Sequence, residues 1–371
     1  MEKHEVVIVG AGPAGLTAAK VLAEAGKDVV VLDKLSKDKI GDKVCFGGIF
    51  PNAMDLVPKS LFKGKSSEVL IHTPKEEFLI TSDTRPYYYL LSRHELGQYQ
   101  LKEAKKEGAN IEGNSKVTAI NLKENSITAS DGITLGYKYL IGADGATSIV
   151  RKSLGLHHEF LSCFQFVFSQ KKEDHPLMDM YANWDLFKTG VIYYAPMYRE
   201  DMGMVSVIGG ETILPKAPIK THEMVKNVKD WFTSQDFPME KAKFESGPVN
   251  IKYNGVQFGN VFLIGDASGI SADLFAEGIS SAIRSADLVS KLIIGKKNEA
   301  KRELEELLLS KKKHTIILSA LNIGVKALDL IPYKTRDKIA NMSIEVGAKV
   351  GKRVMLFDTP KNFILDFALA P

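Results

Sequence analysis

The hydrophobic and polar positions of the chain change period several times, and each change marks an element. Glu5 to Val9 is an apolar, β-branched run that reads as a buried strand. From Pro13 to Ala25 the apolar residues recur at helical spacing until Gly26 stops them, and Val29 to Leu32 is again a strand. The order predicts a βαβ unit. A loop rich in Lys, Asp and Gly follows from Ser36 to Gly48, and Pro51 to Val57 opens a short helix. Glu68 to Ser82 alternates like a pair of strands. Arg93 to Gly108 is an amphipathic helix with Leu96, Tyr99, Leu101 and Ala104 set among Lys and Glu. Strands follow over Lys116 to Leu122, Ser126 to Ala129 and Tyr139 to Ile141, with Ser130-Asp131-Gly132 as a turn.

From about Cys163 to Glu211 the pattern becomes aromatic and β-rich, in Phe164 to Ser169, Gly190 to Ala195 and Met202 to Ile208. This predicts an antiparallel sheet in a second domain. Gly259 to Ile264 is a strand running into a glycine turn, and a helix from about Glu277 to Ile294 returns the chain to the first domain. The remainder is helical, with an apolar stretch from Ile316 to Leu330. The expectation is an α/β fold: a Rossmann-like dinucleotide-binding domain over 1–160 with small inserted strands, an antiparallel-sheet substrate domain over 161–250, a return over 251–300 and a C-terminal helical region over 301–371.

Composition narrows the function classes. With 371 residues, 44% hydrophobic and 25% charged, the chain is long enough for about two packed domains. The net charge of +4 is spread along the chain, which argues against nucleic acid as a partner. Cys45 and Cys163 are too few for a disulfide framework, and neither has a second Cys or a His at metal-ligand spacing, so no metal site is expected and a reducing, cytoplasmic setting fits. No apolar run has the uninterrupted length of a membrane span, and the expectation is a soluble or at most peripheral protein. His157-His158 reads as a surface loop, and His94 and Trp184 read as structural.

The chemistry begins at Gly10-Ala11-Gly12-Pro13-Ala14-Gly15, a G-x-G-x-x-G that directly follows a predicted strand and opens a helix. Gly10 allows the tight turn, Gly12 lets the backbone approach a pyrophosphate, and Gly15 lets helix and strand pack. The helix N-terminus presents unpaired N–H groups to the anion. Asp33 closes the second strand, with Lys34 beside it, where a carboxylate can accept hydrogen bonds from the ribose hydroxyls. NAD and FAD share this first unit.

Two later segments decide between them. Tyr139 to Arg151 is a strand ending in Gly142-Ala143-Asp144-Gly145, and Val261 to Gly269 is a strand ending in Gly265-Asp266, followed by Glu277-Gly278-Ile279. They resemble the second and third fingerprints of the FAD-dependent hydroxylase and reductase superfamily. The resemblance implies that Asp266 holds the ribityl chain and that the helix after Gly278 points its N-terminus at the isoalloxazine, where its dipole stabilises negative charge on a reduced flavin.

Within that superfamily, Asp42-Lys43-Val44-Cys45-Phe46-Gly47-Gly48-Ile49 is similar to the cysteine-containing loop of the geranylgeranyl reductases, which saturate isoprenoid chains. Ser92-Arg93-His94-Glu95-Leu96, with Val117 downstream, fits the same family. The resemblance implies that Val44, Cys45, Gly47, Arg93 and Val117 contact FAD. It also implies a prenyl-lipid substrate, a reductant that visits the flavin transiently (NAD(P)H, a reduced deazaflavin or a ferredoxin-like carrier) and use for an apolar, membrane-facing edge. Where the family carries Tyr-x-Trp-x-Phe-Pro, this chain has Val191-Ile192-Tyr193-Tyr194-Ala195-Pro196, which leaves Tyr193 and Pro196 as substrate candidates. The family's proline and glycine after the last fingerprint are Asp273 and Ala276 here.

Cys45 reads either as a redox or proton-donating thiol, with Lys43 favouring its thiolate, or as a small packing residue. The expected reaction is hydride transfer from reduced flavin to a carbon–carbon double bond of a geranylgeranyl or prenyl lipid. An aromatic monooxygenase, a quinone-linked dehydrogenase and a non-enzymatic prenyl-binding escort stand as alternatives on the same fold.

Overall fold

The computed structural model describes residues 1–49, 51–82, 86–169, 178–188, 190–212, 219–271 and 278–309, with 311, 312, 335, 338, 339, 341 and 342. The sequence expectations for Asp273, Ala276, Glu277 and the apolar 316–330 stretch lie outside the described residues.

The chain opens with β1 (Glu2–Val9), α1 (Pro13–Glu24) and β2 (Val29–Leu32), the expected βαβ unit. β1 begins three residues early because Glu2, Lys3 and His4 pair in parallel with Leu135, Gly136 and Tyr137; ladder bonds, rather than burial, extend it. α1 turns Leu16, Ala18, Ala19 and Leu22 into the core. Then come β3 (Gly48–Ile49), β4 (Phe62–Ser66), β5 (Glu68–His72), β6 (Glu77–Thr81), β7 (Tyr88–Leu91) and α2 (Arg93–Lys106). α2 starts on a capping-box sequence: the Ser92 hydroxyl accepts the Glu95 N–H at 3.1 Å. β8 (Asn110–Glu112), β9 (Val117–Asn121), β10 (Ser126–Ala129), β11 (Thr134–Gly142) and α3 (Ile149–Ser153) complete the first pass.

The stretch from Phe160 to Asn250 contributes β12 (Phe160–Phe168), β13 (Met178–Tyr181), α4 (Trp184–Phe187), β14 (Gly190–Arg199), β15 (Gly203–Thr212), α5 (Thr221–Ser234) and β16 (Lys243–Asn250). β17 (Gln257–Phe258), β18 (Val261–Leu263) and α6 (Ile279–Ile293) bring the chain back.

Among the described residues these strands form three sheets. The first runs β17-β18-β11-β1-β2-β8, with β10 and β9 attached at β11. Its centre is parallel and covered on both sides, which is why β1 and β2 read as continuous apolar runs. The second runs β16-β12-β15-β14-β13-β5-β6 and is antiparallel except for the β13–β5 pair. The strands at 68–81 thus join this sheet, so it draws on a stretch ahead of the second fingerprint as well as on the stretch after it. The third is the small sheet β3-β7-β4.

In the second sheet the pleat separates two faces. Phe164, Phe166, Phe168, Ile192 and Ile208 point to the side covered by α5, whose Met224, Val228 and Phe232 repeat every fourth residue and are fully buried. Each such side chain stabilises the fold by roughly 1.5–3 kcal/mol. The opposite face carries Val167, Ala195, Met197, Val205 and Val207 against Phe46 of the 43–48 loop. That contact ties the second sheet to the loop between β2 and β3.

Candidate active site

The glycine turn is built by close approach. Gly10, at φ +104°, lies where a Cβ would come within 2.4 Å of the Ala143 carbonyl oxygen, and a Cβ on Gly15 would meet the Gly10 carbonyl oxygen at 1.9 Å. Those two glycines are therefore demanded by the protein's own packing. Gly12 is different: its Cβ position has no atom within 4 Å, so the space before α1 is open. Pro13 occupies the first helical turn and has no N–H to satisfy, and no side chain caps the helix, which leaves the Ala14 and Gly15 N–H groups without a side-chain acceptor. A helix end with its cradle open in this way suits a pyrophosphate.

Asp33 stands beside the turn. Its Oδ2 accepts the Ala11 N–H at 2.6 Å and its Oδ1 the Leu35 N–H at 2.8 Å, so the carboxylate braces the turn and keeps further lone pairs for a ribose. Its backbone joins the stretch leading to Val117: the Asp33 carbonyl accepts the Ser115 N–H at 2.8 Å. Val117 is buried at the start of β9, and Lys34 is exposed.

The second and third fingerprints meet through Arg151. This arginine is fully buried and donates to the carbonyls of Ala267, Ser268, His157 and Lys252 and to Asn254 Oδ1. It is a clamp between strand ends, and its five acceptors account for its burial. Asp144 caps α3, with Oδ2 accepting the Ile149 N–H at 2.6 Å. Burial pushes its carboxyl above the usual range, and its Oδ1 is buried without a partner.

Asp266 follows β18 and Gly265, which has φ +55° and donates its N–H to the Ser285 hydroxyl of α6 at 2.9 Å. Asp266 Oδ1 accepts from the Ser271 hydroxyl at 2.6 Å, and Oδ2 lies 3.0 Å from the Lys43 ammonium. Burial pushes this carboxyl up, but Lys43, Ser271 and Arg93 outweigh it and hold it below its ordinary value. Gly278 is the residue before α6 and Ile279 its first, buried residue.

The 43–48 loop is pressed onto the start of α2. A Cβ on Gly41 would meet the Arg93 carbonyl oxygen at 2.7 Å, a Cβ on Gly47 (φ +79°) would meet the Leu91 carbonyl oxygen at 2.5 Å, and the Gly47 carbonyl accepts the Leu91 N–H. Val44 is exposed, while Cys45 is half-buried with its Sγ accepting the Gly47 N–H at 3.4 Å. The sequence reading set Lys43 beside Cys45 as a thiolate partner; in the structure the Lys43 ammonium forms its ion pair with Asp266, where the buried carboxylate is the stronger acceptor. Arg93 has Nε and Nη1 buried without hydrogen-bond partners. Leaving a guanidinium nitrogen unpaired is costly, so these donors await an acceptor.

The remaining candidates lie on β14. The Tyr193 ring packs on Phe46 with centroids 5.3 Å apart and sits over Gly209. Tyr194 turns the other way, edge-on to Phe237. Pro196 is buried two residues from Tyr194, on the α5 side, so the pleat does not bring it to Tyr193's face.

Sequence reasoning did not single out Cys163 or Glu211. Strand register sets both on the face that carries Tyr193: Glu211 pairs with Cys163 on one side and Val191 on the other, and Tyr193 pairs with Gly209. The Cys163 Sγ is 3.8 Å from Glu211 Oε2, and Glu211 is buried. Burial, then Glu211, then Cys45 push the Cys163 thiol well above its ordinary range; burial, then Glu211, Cys163 and Cys45 do the same to the Tyr193 phenol. The only local signal was a carboxylate that follows Gly209-Gly210 near the end of a β-rich stretch.

An FAD fits this arrangement on three counts: the open position at Gly12, the unpartnered Arg93 nitrogens and the unpartnered Asp144 Oδ1. No group of three or more metal-ligating side chains and no helix long and apolar enough to cross a membrane occurs among the described residues.

Comparison with known proteins agrees with the geometry. The family model described as FAD binding domain matches residues 3–310. A digeranylgeranylglycerophospholipid reductase of Methanosphaera stadtmanae is 28% identical over 327 residues, covering 82% of this chain and 79% of the relative. A menaquinone reductase of Mycobacterium tuberculosis is 27% identical over 324 residues, covering 79% and 77%. Among solved structures, a geranylgeranyl bacteriochlorophyll reductase-like protein from Thermoplasma acidophilum superposes with a TM-score of 0.72 at 20% identity, covering the whole of both chains.

Proposed function

The chain belongs to the FAD binding domain family and is an FAD-dependent oxidoreductase, and from that premise we propose that it saturates carbon–carbon double bonds of a prenyl lipid. The observation that carries this reading is the face of the second sheet against the 43–48 loop, where Val167, Ala195, Met197, Val205 and Val207 stand beside Tyr193 and Phe46. An apolar face next to the flavin-end residues suits a hydrocarbon chain better than a small charged aromatic acid. The similarity to a digeranylgeranylglycerophospholipid reductase over most of both chains supports it.

In this reading Gly10, Gly12, Pro13, Ala14 and Gly15 hold the pyrophosphate, and Asp33, Lys34 and Val117 flank the adenosine. Val44, Cys45, Gly47, Arg93, Asp144, Gly265, Asp266, Gly278 and Ile279 surround the ribityl and ring end. FAD, when bound, supplies the hydride chemistry. The chain supplies the rest. Arg93 donates from its two unpartnered nitrogens, Asp266 is held ionised by Lys43 and Ser271, and the apolar face excludes water from the double bond. An isolated alkene accepts hydride poorly, so a proton must reach the second carbon as the reaction proceeds. The reductant, whether NAD(P)H, a reduced deazaflavin or a ferredoxin-like carrier, visits from outside. A substrate dissolved in a bilayer also brings the protein to a membrane surface. The Asp266 and Arg93 arrangement argues against an escort that has given up its flavin.

The test is direct. Chemically reduced protein is incubated anaerobically with a digeranylgeranyl glycerophospholipid and the lipid is examined by mass spectrometry. The reading expects gains of two hydrogens per double bond; unaltered lipid alongside hydroxylation of an aromatic substrate in air would replace it with the monooxygenase alternative.

A further inference from the structure

We propose that Lys43 tunes the flavin of this site: its ammonium answers the Asp266 carboxylate, which leaves the Arg93 guanidinium uncommitted and the site with one positive charge to favour the reduced, negatively charged cofactor. The inference rests on FAD binding and needs no particular electron acceptor, so it goes beyond the prenyl reading and stands or falls apart from it. Lys43 and Asp266 are 223 positions apart in the chain, and the loop between β2 and β3 brings them to within 3.0 Å, Nζ to Oδ2. The Asp266 side chain is 10% exposed and that of Lys43 54%, so the ammonium reaches in from the rim to a carboxylate inside. The loop is fixed where it does this. A Cβ on Gly97 of α2 would come within 2.4 Å of the Gly41 Cα, and the Leu91 N–H donates to the Gly47 carbonyl at 2.9 Å, so both ends of the loop are held against the stretch that carries Arg93.

A buried carboxylate needs charged or hydrogen-bonding partners, and Ser271 supplies a single hydroxyl, to Oδ1. Arg93 is near enough to help, since its charge acts on both Asp266 and Lys43. Yet its Nε and Nη1 are buried without hydrogen-bond partners, and it is the lysine that takes Oδ2. Removing Lys43 therefore does two things at once. The group of Lys43, Arg93 and Asp266, two cations and one carboxylate, passes from one net positive charge to none, and Asp266 is left to compete with the cofactor for the Arg93 donors. Glu211 acts on the Cys163 thiol together with Asp266 and Lys43, and its charge is common to every variant compared below.

The charge balance sets the sign of the effect. Two-electron reduction adds a hydride, two electrons with one proton, from a donor of the nicotinamide or deazaflavin class, which is left oxidised, and the flavin ring system gains one negative charge. Lys43 favours that change. One unit charge about 10 Å from another, at an effective dielectric constant of about 20, alters such an equilibrium roughly tenfold. Sulfite is a second probe of the same charge: its sulfur lone pair forms a bond to the oxidised flavin, and the ring system takes up the negative charge with no outside reductant.

Both equilibria are measured on the FAD-loaded protein. Lys43→Met is expected to lower the constant for two-electron reduction at least about tenfold, a fall of roughly 30 mV in potential, and to weaken sulfite binding by a similar factor. Lys43→Arg should keep both near the wild-type values. The double variant Lys43→Met with Asp266→Asn, which restores the net charge, should recover most of the loss; a purely structural role for the lysine predicts no such recovery. Should a variant hold FAD too weakly to load, titration of its apoprotein with oxidised and with photoreduced FAD gives the same quantity, because the ratio of the two dissociation constants changes by the factor by which reduction does. An unchanged potential in Lys43→Met, an equal fall in Lys43→Arg, or no recovery in the double variant would overturn the assignment. No prenyl lipid enters these measurements, so failure of the prenyl reading leaves the assignment of Lys43 intact, and failure of the assignment leaves the prenyl reading standing.

Discussion

Gly12 and Gly15 occupy one turn, and the structure assigns them opposite debts. Replacing Gly15 by Ala puts a Cβ 1.9 Å from the Gly10 carbonyl oxygen, a backbone atom that moves only if α1 is pushed off β1. Overpacking of that kind costs about 3 kcal/mol or more, before any cofactor is considered. Replacing Gly12 by Ala meets no atom within 4 Å, and its φ of −75° suits any residue. The apoprotein should therefore change by about 1 kcal/mol at most, the residue being a helix cap without a side-chain bond. The new methyl group instead fills the space a phosphate would take and removes a charge-assisted hydrogen bond of about 1.5–3 kcal/mol, which weakens FAD by roughly 10- to 150-fold. The assay pairs thermal unfolding of each apoprotein with fluorescence titration of FAD. Gly15→Ala should lose stability with or without cofactor, and Gly12→Ala should lose affinity alone. Undiminished FAD binding in Gly12→Ala would falsify the assignment of that open space to the pyrophosphate.

Other outcomes follow from single residues. Arg93 holds two unpartnered nitrogens, so Arg93→Met should leave the apoprotein as stable or more stable by about 1 kcal/mol, yet bind FAD roughly 10- to 100-fold more weakly; a large loss of apoprotein stability would mean the arginine serves packing instead. His72 lies between Asp179, at 3.1 Å, and Glu77, at 2.9 Å; burial opposes its charge, but the two carboxylates outweigh it and raise it above 6.5. A raised histidine stabilises fully below its ordinary value and ceases to do so as pH climbs through the raised one. Melting curves from about pH 6 to about pH 9 should therefore show the wild type losing ground to His72→Gln, and parallel curves would refute it. Asp266 titrates below 3.8, so its pairing stabilises the protein above that value and the contribution disappears as pH falls through the lowered one. Apoprotein carrying Asp266→Asn should accordingly show a shallower loss of stability on acidification than wild type, measured by denaturant unfolding.

Local pattern revealed much of the first sheet and little of the second. β1, α1 and β2 were legible because a glycine turn between two apolar runs has few other readings, and Gly265-Asp266 was legible because it ends a strand. α5 carries Met224, Val228 and Phe232 at helical spacing, a signal present in the sequence that the β-rich surroundings masked. β16 reads Lys243-Phe244-Glu245-Ser246-Gly247-Pro248-Val249-Asn250, a poor strand by composition that is held at the edge of its sheet by pairing with β12. The parallel β13–β5 pair joins residues more than a hundred positions apart, which no local period encodes. The site divides the same way. Gly10 and Gly15 announce themselves by type, whereas Glu211 and Cys163 become neighbours of Tyr193 only through the register of three strands.

The central claim is that reduced flavin in this protein passes its electrons to a prenyl double bond. The most direct measurement is stopped-flow absorbance of the photoreduced protein mixed anaerobically with a digeranylgeranyl lipid, with a quinone, or with air-saturated buffer. The account predicts rapid return of the oxidised flavin spectrum with the prenyl lipid and slow return with the other two. Rapid reoxidation by quinone or oxygen while the prenyl lipid leaves the flavin reduced would contradict it.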